Sequence, residues 1–188
     1  MFFSLPNVLT YGRILAVPAL AACFLLIKSD AGRWASFVIF VIAGLTDWLD
    51  GYLARAWQQQ SALGRMLDPI ADKLLVGTAL LVLVYDNTID NLTIWAAIII
   101  LCREILVSGL REYLAELNVK IHVTKLTKWK TTVQMVALGV LIAGPAGERV
   151  ARGVLMLGTG LLWVAALLTL WTGYGYLKAA IRHAIEHD

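Results

Sequence analysis

The chain has 188 residues, of which 60% are hydrophobic and only 15% charged, with a mean hydropathy of +0.75 and a formal net charge of +3. Soluble domains average nearer a quarter charged, so a polytopic membrane protein is expected, with room for about six spans of ~20 residues. The basic balance fits cytoplasmic loops and anionic lipid head groups, and no nucleic-acid-binding pattern accompanies it.

The first segment, Met1-Phe-Phe-Ser-Leu-Pro6, lacks the basic n-region of a signal peptide, so the first span is read as mature structure. Apolar runs predict six helices, over roughly 8–28, 34–57, 65–85, 92–115, 126–145 and 152–181. Pro18 falls inside the first as a tolerated kink. The clearest breaks are Asp30-Ala-Gly, the polar run from Asp86 to Asn91, and Gly144-Pro-Ala-Gly. With no strand pattern, repeat or long linker, the expected architecture is all-α, a single membrane domain over residues 1–188 with a cytoplasm-facing polar cavity. Cys23 and Cys102 each lie in an apolar run and are expected as buried thiols, not as a disulfide or metal pair. The tryptophans and tyrosines fit interfacial belts. His122, His183 and His187 show no ligand spacing.

Two apolar stretches, Trp34–Leu45 and Leu74–Tyr85, have only twelve residues each. Neither crosses ~30 Å of hydrocarbon at ~1.5 Å per residue. Helices two and three must therefore extend through their polar neighbours and carry acids on their own ends. With both termini cytoplasmic, that side receives Arg13, Arg55, Arg65, Lys73, Arg103, Arg111, Lys120, Lys125, Lys128, Lys130, Lys178 and Arg182. The other side receives Lys28, Arg33, Arg149 and Arg152, so the division is twelve against four. This is a positive-inside bias, and it puts the acids of helices two and three on the cytoplasmic side.

Those acids are the most informative residues. Asp47, Asp50, Gly51, Ala54 and Arg55 form one helical stripe, and Gly64, Asp68 and Asp72 form another. A tight connection through Gln58-Gln59-Gln60-Ser61 predicts antiparallel neighbours with facing acidic stripes. Carboxylates at a membrane boundary are costly unless they pair, bind cations or line a polar cavity. Four of them without His or Cys suit a hard cation such as Mg²⁺ or Mn²⁺, with substrate phosphate completing the shell. Gly51, Ala54 and Gly64 remove bulk on that face, while Arg55 and Arg65 offer forked donors to phosphate. A solvated loop and an ion-coupled transporter are the competing readings. The clustering of the acids at one membrane face counts against the transporter.

The spacing D-x2-D-G-x2-A-R-x8-G-x3-D-x3-D, from Asp47 to Asp72, resembles the signature of the CDP-alcohol phosphotransferases at every fixed position. Three flanking runs are similar to those of the bacterial phosphatidylglycerophosphate synthases within that family. They are Leu5-Pro6-Asn7-Val8-Leu9-Thr10 with Arg13, Arg103-Glu104 with Val107-Ser108-Gly109-Leu110-Arg111-Glu112, and Lys128-Trp129-Lys130-Thr131 with Gln134. That subfamily usually has glycine before the first of these lysines, where this chain has Thr127.

The resemblance implies transfer of a phosphatidyl group from CDP-diacylglycerol to sn-glycerol 3-phosphate, releasing CMP, in a bacterial inner membrane and by a homodimer. It implies two Mg²⁺ or Mn²⁺ ions on Asp47, Asp50, Asp68 and Asp72, with Asp72 also the general base. Gly51, Ala54, Arg55, Gly64 and Arg65 would frame the CDP head, and Thr10 and Arg13 would close it from helix one. Arg111, Lys128, Lys130 and Arg103 are the candidates for the acceptor phosphate. Arg103 and Glu104 could instead form a structural ion pair, and Lys120 and Lys125 are assigned to topology. Sister enzymes that use serine, inositol phosphate or phosphatidylglycerol share the aspartate motif, so only the acceptor pocket separates them.

Overall fold

The computed structural model describes residues 5–56, 62–117 and 125–187. They form α1 (Leu5–Leu26), α2 (Asp30–Ala56), α3 (Ala62–Tyr85), α4 (Thr93–Glu116), α5 (Lys125–Val150) and α6 (Val154–His187), with no strand among them. The protein is an all-helical membrane protein. Four helices are long and apolar enough to cross a bilayer, within Asn7–Leu26, Thr93–Ala115, Trp129–Val150 and Val154–Lys178. The other two, α2 and α3, carry the aspartates, whose charges interrupt their apolar stretches.

The core is built from Leu20, Leu75, Leu83, Ile100, Leu138 and Leu162, interleaved with Ala79, Ala96, Ala137, Ala165 and Ala166. Small side chains let helices approach closely, which is how membrane bundles gain packing where lipid supplies no hydrophobic drive. Leu15, Leu81, Leu167 and Met156 point outward instead, as a lipid-facing surface requires. Cys102 is likewise exposed on α4, contrary to the expected burial, whereas Cys23 is half-buried; both are free thiols. The reason is general: in a bilayer an apolar run marks the lipid side as readily as the core.

Among the described residues α2 and α3 touch least of all packed pairs, and α1 packs extensively against both. Like charges on adjacent helices repel, and α1 brings a cation to Asp47 and a hydroxyl to Asp68. The Gln58–Ser61 connection lies outside the described residues, as do Lys120 and His122.

The break expected at Gly144 is a kink within α5, and helix resumes to Val150. Gly144 adopts φ 41°, a left-handed conformation that favours glycine, and an added Cβ would collide with the Arg33 guanidinium. Arg33 donates to the carbonyl of Ile142 at 3.3 Å and to Thr88 Oγ1 at 3.0 Å, pairs with Asp86, and lies 4.9 Å over the Phe24 ring. One side chain thus ties α1, α2, the α3–α4 turn and α5 together. Burial pushes its guanidinium below the ordinary arginine value, against an opposing pull from Asp30. A cleft of about 530 Å³ opens beside it, lined by Lys28, Asp30, Tyr85, Asp86 and Arg149 among others. It is at the end of the bundle remote from the motif aspartates.

Candidate active site

The aspartate end is assembled by α1. Its first turns carry Asn7, Thr10 and Arg13 on one face, all buried. Thr10 Oγ1 donates to Asp68 Oδ1 on α3 at 2.6 Å, and Arg13 Nη1 meets Asp47 Oδ1 on α2 at 2.5 Å. The Arg13 side chain is fully buried, whereas that of Asp47 is 44% exposed. A buried guanidinium therefore holds a carboxylate that still opens outward. Asp47 lies in electrostatic range of Asp68, and Asp72 in range of Asp47.

A second charged cluster lies where α4, α5 and α6 meet. The Glu104 carboxylate pairs with Lys130 and stands 3.7 Å from Arg103 Nη1. Both cations are buried. Arg103 also donates from Nε to the Thr169 carbonyl at 3.0 Å and from Nη2 to Thr172 Oγ1 at 2.8 Å. Gly173 leaves room for its shaft: a Cβ there would stand 3.1 Å from Arg103 Cγ. Two turns further along α4, the exposed Arg111 lies 5.7 Å over the buried Tyr176 ring. Lys73 hydrogen-bonds Ser108, joining α3 to α4 next to Asp72.

Asp72 links the clusters. Its carboxylate lies in electrostatic range of Asp47 and Arg13 and also of Glu104 and Lys130. Thr10, Arg13, Asp47, Asp68 and Asp72 are thus brought to one end of the bundle, with Lys130 and Arg103 close by. Gly64 is half-buried in the first turn of α3. The side chains of Asp50, Ala54, Arg55, Arg65 and Lys128 lie outside the described residues, as does the surrounding of Gly51. Thr127, the departure from the usual glycine, is inside α5, so helix forms there without it.

Metal fit can be judged from donor chemistry. Among the described residues no three His, Cys, Asp or Glu side chains form a closed ligand cluster. The carboxylates present are nonetheless all-oxygen donors at one end, and Asp47 is partly open to an incoming ion. Hard divalent cations take such ligands and leave further positions to water and phosphate. The donor set fits that class.

Sequence reasoning singled out the aspartates and offered the Arg103–Glu104 ion pair that the structure forms, but it missed Lys130 as the second partner of Glu104, the Lys73–Ser108 contact and Tyr176. Lys130 was assigned to the acceptor phosphate, and its 26-residue separation from Glu104 gave no sign that the two pair. Nothing in the sequence distinguishes Tyr176 from the other tyrosines.

A family model described as CDP-alcohol phosphatidyltransferase matches residues 3–171. The chain is 43% identical over 180 residues to a protein of Rickettsia bellii, covering 96% of this chain and 97% of the relative. It is 42% identical over 182 residues to one of Haemophilus influenzae, covering 96% and 95%. A protein of Arabidopsis thaliana is 40% identical over 186 residues, covering 93% of this chain and 78% of the relative. The two bacterial relatives are named CDP-diacylglycerol–glycerol-3-phosphate 3-phosphatidyltransferase, and the plant one bears the same name with the number 2.

Proposed function

This chain belongs to the CDP-alcohol phosphatidyltransferase family, and we propose on that footing that it transfers the phosphatidyl group of CDP-diacylglycerol to sn-glycerol 3-phosphate. The products are phosphatidylglycerol phosphate and CMP. The observation that carries the reading is the gathering of carboxylates and buried cations at one end of the bundle, with Arg13 on Asp47, Thr10 on Asp68, and Lys130 and Arg103 on Glu104.

Members of the family are generally metal-dependent. We assign two Mg²⁺ or Mn²⁺ ions to Asp47, Asp50, Asp68 and Asp72; when bound they supply charge stabilisation for the diphosphate and the departing CMP. Arg13 and Thr10 orient Asp47 and Asp68, so the carboxylates are preset before substrate arrives. Gly51, Ala54, Arg55, Gly64 and Arg65 frame the CDP head. Asp72 accepts the proton of the acceptor hydroxyl as its oxygen bonds to the diacylglycerol-side phosphorus. The phosphoanhydride bond to CMP breaks, and its electron pair leaves with CMP. A base must lie within hydrogen-bond reach of the proton it takes, and Asp72, one turn beyond Asp68 on α3, is assigned to the acceptor side.

Arg111, Lys128 and Lys130 hold the acceptor phosphate. Arg103 contributes its charge from a fixed place, because its hydrogen bonds already run to α6. The acidic end is assigned to the cytoplasmic side, where a soluble anionic acceptor is available, and the working form to a homodimer in a bacterial inner membrane. The test is CMP release from CDP-diacylglycerol with glycerol 3-phosphate, serine, inositol phosphate and phosphatidylglycerol supplied in turn. Release with glycerol 3-phosphate alone supports the reading, and release with another acceptor alone overturns it.

A further inference from the structure

Tyr176 is 5% exposed, and its hydroxyl is a buried polar atom with no hydrogen-bond partner among the described residues. A buried hydroxyl without a partner is costly, and native structures keep few of them. This one has charged surroundings. It lies on α6 one turn beyond Thr172 and Gly173, which hold Arg103. The Arg111 guanidinium covers its ring at 5.7 Å, and the phenol lies in electrostatic range of Arg103. Arg103 in turn stands beside Glu104 and Lys130.

A donor with nothing to donate to, placed among cations, is arranged to receive an anion. We propose that the Tyr176 hydroxyl donates a hydrogen bond to the phosphate of the acceptor, beside Arg111. The proposal rests on the acceptor-site reading above, and it adds a neutral donor to a set of cations. Cations attract any anion; a fixed hydroxyl adds direction. Phosphate offers several acceptor lone pairs, whereas a cationic or zwitterionic acceptor would bring an ammonium group that the neighbouring arginines repel.

Tyr176→Phe deletes only the atom in question. Were the hydroxyl merely structural, its removal from a site without a partner would leave kinetics unchanged. The experiment measures initial CMP release against glycerol 3-phosphate and, separately, against CDP-diacylglycerol, for the wild type, Tyr176→Phe and Tyr174→Phe. Tyr174 is 68% exposed and serves as the control. Thermal unfolding in detergent is recorded with and without glycerol 3-phosphate or inorganic phosphate.

A hydrogen bond to a charged group predicts a rise of about tenfold or more in the KM for glycerol 3-phosphate in Tyr176→Phe. The KM for CDP-diacylglycerol and the unliganded Tm should stay near wild type, and protection by either phosphate ligand should weaken. Tyr174→Phe should match the wild type throughout. An unchanged acceptor KM with unchanged phosphate protection overturns the proposal: the hydroxyl then meets buried water only. A lower unliganded Tm with both KM values shifted alike also overturns it. If the wild type does not use glycerol 3-phosphate, the functional reading fails, and inorganic-phosphate protection still decides the role of Tyr176.

Discussion

The two ends of the helical bundle both set an arginine against a carboxylate, yet they solve different problems. At the Gly144 end, Arg33 reaches the Asp86 carboxylate, the Thr88 hydroxyl and the Ile142 carbonyl, and stacks on Phe24. Its partners come from turns and a kink, and they close the structure. At the aspartate end, Arg13 holds a carboxylate that stays 44% exposed, and the buried Lys130 and Arg103 share one glutamate. A tyrosine hydroxyl is left over there. At the first end one cation meets three acceptors; at the second, two cations share one carboxylate, which leaves positive charge for a ligand. The cleft beside Arg33 fits the division, because two of its lining cations, Arg33 and Arg149, are already paired with Asp86 and Asp30.

The largest effect should follow from the aspartates. Asp72→Asn keeps volume and removes the base, so kcat should fall about 10²–10⁴-fold, the range a positioned general base supplies. Asp68→Asn should cost at least as much, because it weakens metal binding while Thr10 can still meet an amide oxygen. Asp72→Asn should retain more CDP-diacylglycerol binding than Asp68→Asn. Single-turnover CMP release and equilibrium lipid binding would separate the two. Near-normal turnover of Asp68→Asn at saturating Mg²⁺ or Mn²⁺ would remove its metal role, and equal binding losses would remove the distinct base.

Next come the cations of the same end. Neutralising Arg111 or Lys128 to alanine should raise the KM for glycerol 3-phosphate about ten- to a hundredfold, the worth of a charged hydrogen bond in a partly desolvated site. The KM for CDP-diacylglycerol should move much less. Lys120→Ala, assigned to topology, is the control. If all three variants shift both KM values alike, the basic residues act as a diffuse surface and the comparison loses its functional half.

Much of this contrast was legible before any coordinates. Asp47, Asp50, Asp68 and Asp72 stood out because carboxylates are expensive against an apolar background, and their spacing gave helix faces directly. The break at Gly144 was visible as well, though as a break and not as a kink, because local turn chemistry does not reveal whether helix resumes beyond it. What stayed hidden depends on partners distant in sequence. Thr10 and Asp68 are 58 residues apart, and only the packing of α1 between α2 and α3 shows that they meet. Arg33 counted as one of four cations on the sparse side, with no sign that it joins four segments. Cys102 looked buried because hydropathy cannot tell a lipid-facing position from a core one.

Arg33→Met tests the other half of the comparison. Retaining the bulk but removing the donors leaves Asp86, Thr88 and the Ile142 carbonyl short of a partner. Stability should fall by about 1–3 kcal/mol, the cost of stranding partly buried polar groups. Thermal unfolding in detergent should show it, while both KM values stay near wild type in the folded fraction. A selective change in acceptor KM with no loss of stability would mean that the Gly144 end communicates with the substrate site.

The smallest effect belongs to Arg149→Ala. Arg149 pairs with Asp30 at the same end and across the same cleft, but its side chain is 71% exposed and that of Asp30 41%. An exposed pair gains little Coulomb energy in high dielectric, pays side-chain entropy to hold its geometry and is screened by salt. Its loss should cost well under about 1 kcal/mol, with no change in either KM. Measured beside Arg33→Met at low and high salt, it asks whether that end is held by its charges in general or by one buried arginine. The second alternative predicts a clear gap between the variants, and salt should affect only the Arg149 pair. Equal destabilisation would mean that the exposed pair carries as much as the part-buried network. Burial would then no longer explain why Arg33 needs three acceptors and an aromatic face, and the structural reading of that end would have to be rebuilt on net charge alone.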